Sequence, residues 1–105
     1  MSADARIEEL KLELPEAPKP GGVYNPLVQV GDMVYVSGHG PLLPDGSMIT
    51  GKVGGDLDEA AGNNAARQVG LTMLATLKAQ LGSLDRIERV VKVLGMVNAA
   101  SDFGR

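Results

Sequence analysis

Residues 27–38 read Leu27-Val28-Gln29-Val30-Gly31-Asp32-Met33-Val34-Tyr35-Val36-Ser37-Gly38. Two β-favouring runs, 27–30 and 33–36, flank Gly31-Asp32, a two-residue loop with glycine first, which is the kind that closes a tight antiparallel hairpin. The second strand runs into Ser37-Gly38-His39-Gly40-Pro41, where glycines and a proline end the ladder and leave irregular backbone at the strand end. On the far side, Asp45-Gly46 signals a turn, Ser47 to Gly51 a short third strand, and Gly51 to Gly55 a glycine-rich entry to a helix. Asp56 or Asp58 caps that helix, which is expected to run to about Leu81, with Glu59 against the positive end of its dipole and Gly82 as its left-handed stop. Gly62, Ala66 and Gly70 make a small-residue strip on it, read as the place where a sheet packs closely.

After a turn at Leu84 to Glu88, the stretch Arg89 to Val97 is apolar at nearly every position, the pattern of a central strand buried on both faces. At the other end, Ile7, Leu10 and Leu14 recur at helical spacing behind Ser2 or Asp4 as cap, giving a short amphipathic helix over Ser2 to Leu14. Pro15, Pro18 and Pro20 make Leu14 to Gly22 a connector, so the domain proper begins near Val23. The division is 1–22, helix and proline-rich connector, and 23–105, the domain. Helix, hairpin, short strand, long helix and buried strand together describe an α+β domain with a helix packed on one sheet face.

Composition narrows the chemistry. The 105 residues have no Cys, one His and 14 Gly, with 10 Lys+Arg against 13 Asp+Glu for a net charge of −3. No thiolate nucleophile, disulfide framework or multi-histidine metal site can be built within one such chain. Cations scattered singly and a pI near 5.0 argue against nucleic acid as a partner. No run approaches the length of a membrane span, and the acidic stretch Met1 to Leu14 lacks a signal-peptide core. The expectation is a cytoplasmic domain with no membrane partner.

Strong catalytic motifs are missing. Gly38-His39-Gly40 has Leu43 where a dinucleotide fingerprint needs its third glycine, and Ser37 lacks the Gly-x-Ser-x-Gly elbow. Ser37 and His39, two apart on extended chain, share a face, so a Ser-His contact is open. His39 reads either as a general acid or base or as a loop histidine bonded to nearby carbonyls. Tyr24 reads as a packing lid or a ligand contact, Gly51 to Gly55 as an anion-binding nest or a plain helix entry, and Asp56, Asp58 and Glu59 as a cation cluster or simple capping.

Taken in order, Tyr24, Gly31-Asp32, Val36-Ser37-Gly38, Pro41, Asp45-Gly46, Asn63 or Asn64, Leu81-Gly82-Ser83-Leu84 and Val90-Val91-Lys92-Val93 resemble the YjgF family, also called Rid (reactive intermediate deaminase) and, in older usage, L-PSP endoribonuclease. The resemblance covers Pro18 to Arg105. It implies a chorismate-mutase-like α+β fold that forms a homotrimer with clefts at the subunit boundaries. It also implies hydrolysis of enamine or imine intermediates such as 2-aminoacrylate to a 2-oxo acid and ammonia, with no cofactor and no metal. Carried over residue by residue, it puts Tyr24 and the Ser37-Gly38 pair in a cleft for a small carboxylate metabolite. His39 stands there where the family often has Gln. The family's Pro-Ala-Arg segment, which grips the substrate carboxylate, and its final Val-Glu-Ile-Glu strand, which supplies a catalytic glutamate, have no match here, and Arg105 lies upstream of that arginine. No catalytic residue is therefore assigned. The expectation is a chain truncated before the second helix and last strands, inactive alone and persisting as an oligomer. A carboxylate-binding module without turnover is the alternative, and RNA cleavage a third reading that the acidic pI disfavours.

Overall fold

The computed structural model describes residues 2–19, 22 and 25–104. Its elements are α1 (Ala3–Glu9), β1 (Leu27–Val30), β2 (Met33–Val36), α2 (Glu59–Leu81) and a 3-10 turn (Leu84–Arg86). The hairpin forms as expected, with Leu27 opposite Val36, Val28 opposite Tyr35 and Val30 opposite Met33. Gly31 takes φ +59, the positive value that lets the loop follow the right-handed twist of its strands. The long helix also forms as expected. Asp58 is its N-cap, its carboxylate accepting from Ala61 N–H at 2.7 Å, and Gly82 stops it at φ +84.

Three expected elements differ. Helix α1 ends at Glu9 rather than Leu14 because Lys11 turns into the left-handed region at φ +53. Lys11 N–H then donates to Glu8 O and Leu12 N–H to Ile7 O, both at 3.1 Å, the paired bonds of a Schellman stop. Ser47 to Gly51 is not a strand. A single bridge joins Leu42 and Met48, and the Asp45 carboxylate holds the turn by accepting from Ser47 N–H at 2.9 Å and Ser47 Oγ at 2.6 Å.

The third difference is the largest. Arg89 to Val97 lies outside any sheet and is exposed throughout, with Val90 at 71%, Leu94 at 80% and Met96 at 90% of their accessible surface. Its tail alone is fixed. Val53 N–H donates to Asn98 O and Ala100 N–H to Val53 O, each at 2.9 Å, in a parallel bridge. Apolar residues on both faces state what the segment needs, but no strand among the described residues lies alongside to supply it.

The core is small. It centres on Leu84, Leu71, Ala75 and Val53, with the hydroxyls of Thr72 and Thr76 buried among them. Helix α1 is clamped to this end of the molecule through Asp4, whose carboxylate accepts from Ser83 Oγ at 2.5 Å and Leu84 N–H at 3.1 Å. In return, Asp4 N–H donates to the Asp85 carboxylate at 2.9 Å. The small-residue strip is used at one point only. A Cβ on Gly62 would stand 2.7 Å from Val53 Cγ2, whereas Gly70 faces open space.

Candidate functional site

Where β2 ends, the chain is pinned to α2 by His39. Its Nδ1 lies 2.7 Å from Ser37 O and its Nε2 2.7 Å from Thr76 Oγ1. A carbonyl oxygen only accepts, so the proton sits on Nδ1. In the neutral ring, Nε2 then accepts from the Thr76 hydroxyl. Both ring nitrogens are bonded within the protein, so His39 bridges the strand end and the helix. The conceivable Ser-His contact does not form. Ser37 Oγ donates to Pro26 O at 2.9 Å, and His39 meets the carbonyl of Ser37 instead of its hydroxyl.

A second staple follows. Gln68 Nε2 donates to Leu42 O at 2.6 Å, while Thr72 Oγ1 donates back to Gln68 O at 2.9 Å and lies 3.4 Å from Leu42 O. Between the strand end and this face of α2 opens a cavity of about 240 Å³, whose wall includes Lys19, Ser37, Gly38, His39, Met48 and Thr72. Gly40 packs against the side chain of Met48, whose Sδ a Cβ there would approach to 2.9 Å. The structure brings Ser37, Gly38 and His39 together in one cavity wall. Tyr24 lies outside the described residues.

Sequence reasoning missed Thr72, Thr76 and Lys19. The threonines carried a signal: two hydroxyl residues one turn apart, flanked by Leu71 and Ala75 on the helix face that proves buried. For Lys19 the signal was its place between Pro18 and Pro20, since a residue before proline is held in extended conformation.

The glycine-rich stretch is no anion nest. Lys52 N–H is spent on the Asp56 carboxylate at 2.7 Å, and Gly54 and Gly55 donate to Leu57 O and Lys52 O at 2.8 and 3.0 Å. Asp56 and Asp58 are likewise occupied in holding this loop and capping α2. No group of three or more metal-ligating side chains occurs among the described residues. A larger groove, about 410 Å³, runs between α1 and α2 past Ile7, Leu12, Leu14 and Ala79. It is an apolar seam with Lys78 at its edge and no converging polar groups.

The sequence and the fold have known counterparts. Residues 4–103 match the family described as "YjgF/chorismate_mutase-like, putative endoribonuclease". The chain belongs to this family. Protein TCP17 of Trypanosoma cruzi is 36% identical over 99 residues, covering 94% of this chain and 62% of that protein. Among solved structures, a "putative endoribonuclease" from Shewanella oneidensis superposes with a TM-score of 0.80 at 33% identity, covering 86% of this chain and 60% of its own. The protein Atu1372 of Agrobacterium tumefaciens, of unknown function, superposes at 0.81 with 36% identity, covering 95% and 60%. The chain therefore spans about three fifths of the length of these relatives. The YjgF fold, with its chorismate-mutase-like α+β character, is established. No helix among the described residues is long and apolar enough to cross a membrane.

Proposed function

We propose that this chain carries the small-carboxylate cleft of a Rid-type enamine/imine hydrolase. In that reaction water adds to the C=N carbon of a 2-imino acid, the C–N bond breaks, and a 2-oxo acid and ammonia leave, with no cofactor. The observation that supports the reading is the cavity of about 240 Å³ walled by Ser37, Gly38 and His39 in a member of the YjgF family. Its volume suits a ligand of a few carbon atoms and falls below that of drug-sized sites, about 300–1,000 Å³.

The chain by itself binds without turning over. None of the described residues lining this cavity is acidic, and both nitrogens of His39 are engaged, so no group among them is free to take a proton from the attacking water. The same observation favours the second reading, a binding module for small carboxylates. Assembly as a homotrimer with the cleft at a subunit boundary belongs to the same proposal. It draws support from an exposed apolar sheet face, where Val30 and Tyr35 retain 61% and 59% of their surface.

The test is release of pyruvate from 2-aminoacrylate. The 105-residue chain is expected to match buffer, and a rate above buffer contradicts the account of its cavity. The full-length relative TCP17 separates the two readings, since turnover there supports the hydrolase and binding without turnover the module. RNA cleavage, the sense of the family's older label, finds no basic stripe in a chain of net charge −3. RNA affinity that does not vary with salt removes it.

A further inference from the structure

Ahead of the hairpin the chain follows α2 backwards. Asp4 is bonded to Ser83 and Leu84, just beyond the C-terminal end of that helix. Leu14, Pro15 and Ala17 then line the apolar groove with Ala75 and Ala79, and Pro18 and Lys19 reach the wall of the strand-end cavity, which they share with Thr72. The connector thus completes a cavity whose other lining residues lie between Pro26 and Thr72. It is lightly held. No residue of α1 is buried, and the core around Leu84, Leu71 and Val53 takes no side chain from residues 3–19. Three hydrogen bonds made by Asp4 tie α1 to the 3-10 turn, two accepted by its carboxylate and one donated by its N–H to Asp85. A helix of 7 residues does not persist unsupported in water, so its order follows this clamp.

We infer that α1 and its connector form a strap that closes the strand-end cavity, held shut by the Asp4 clamp and opened by its release while the rest of the chain stays folded. Segments with few buried apolar contacts are the ones that open locally ahead of global unfolding. A ligand enclosed by the strap favours the closed state, and the clamp in turn tightens ligand binding by the same factor. This coupling rests on the cavity being the ligand site, as proposed above, whereas the strap itself does not.

The chain has no cysteine, so a thiol introduced by Ser37→Cys, in the cavity wall, reports opening through its rate of labelling by iodoacetamide. Adding Asp4→Ala, which removes the two bonds accepted by the carboxylate, is expected to speed labelling roughly tenfold, the effect of losing bonds to a charged group. A thiol introduced by Ser101→Cys, at an exposed turn, should label alike with and without Asp4→Ala. Hydrogen exchange separates opening from unfolding: in Asp4→Ala the amides of α1 exchange faster by a similar factor while those of α2 keep their protection. Pyruvate is expected to slow exchange in α1 of the clamped chain, although no residue of α1 lines the cavity. Equal labelling of Ser37→Cys with and without Asp4→Ala overturns the strap. Loss of α2 protection in Asp4→Ala overturns it too, since α1 would then unfold only with the whole. Labelling that responds to the clamp, with α1 exchange indifferent to pyruvate, leaves the strap standing and overturns its coupling to a ligand in the cavity.

Discussion

His39 shows how one side chain turns a strand end into a wall. Its ring holds Ser37 O on one side and, 37 positions further along the sequence, Thr76 Oγ1 on the other, and Thr76 retains only 2% of its surface. Removing either partner strands a polar atom away from water, which costs about 1–3 kcal/mol. His39→Ala and Thr76→Val are each expected to lower stability by about that much in urea unfolding. Their double mutant should lose clearly less than the sum, because both remove one interaction; strict additivity would deny the bridge. The motif Ser37-Gly38-His39 was legible in the sequence, but the use of its histidine was not. A ring that completes its hydrogen bonds on a helix beginning 20 residues later can be placed only once that helix is packed.

Asp4 carries a pH consequence at the same scale. The Ser83 hydroxyl beside it, with Leu84 N–H and Lys78, holds its carboxyl below the usual carboxylate value against the opposing effect of desolvation. Asp45 is lowered chiefly by the Ser47 hydroxyl and Asp56 by Lys52 N–H. A folded-state value below the unfolded one means stability present above about pH 4 and lost as pH falls through the folded-state value. Acid titration of unfolding should therefore show stability declining below about pH 4, and Asp4→Asn should flatten part of that decline. An unchanged profile in Asp4→Asn would show that the clamp between α1 and the 3-10 turn contributes nothing in solution.

Among the elements, the hairpin and α2 were readable because their signals are local. Gly31-Asp32 demands a positive φ, and Asp58 and Gly82 mark the two ends of the helix. The end of α1 was not readable, since the residue that breaks it is Lys11 rather than glycine. A left-handed lysine is strained by roughly 1–2 kcal/mol, so Lys11→Gly should raise stability by about 1 kcal/mol. Helix α2 offers a contrast within one strip. Gly70→Ala meets open space and should stabilise by about 1 kcal/mol through helix propensity. Gly62→Ala drives a methyl to 2.7 Å from the buried Val53 and should destabilise by about 1–3 kcal/mol. Thermal melts of the two variants check the opposite signs, and a gain for both would show that α2 does not approach Val53 as described.

At the scale of the whole molecule, two sets of apolar side chains stand exposed. Val28, Val30, Met33 and Tyr35 share one face of the hairpin by register, and all are exposed. The run from Val90 to Val97 adds a second apolar stretch. The sequence signalled burial on both faces of that run, yet burial is a property of neighbours, and no single stretch can encode whether they are present. Contiguous exposed apolar surface of this kind drives association. Sedimentation is expected to show oligomers that Val30→Lys and Tyr35→Lys together convert to monomer. A compact wild-type monomer would contradict the expectation.

The central claim is that ligand chemistry belongs to the cavity at the end of β2 and not to the larger apolar groove beside α1. Amide chemical-shift mapping on addition of pyruvate tests it most directly. The account predicts shifts concentrated at Ser37, Gly38, His39, Gly40 and Thr72. Shifts centred on Ile7, Leu12 and Ala79, or none above those caused by salt alone, would contradict it.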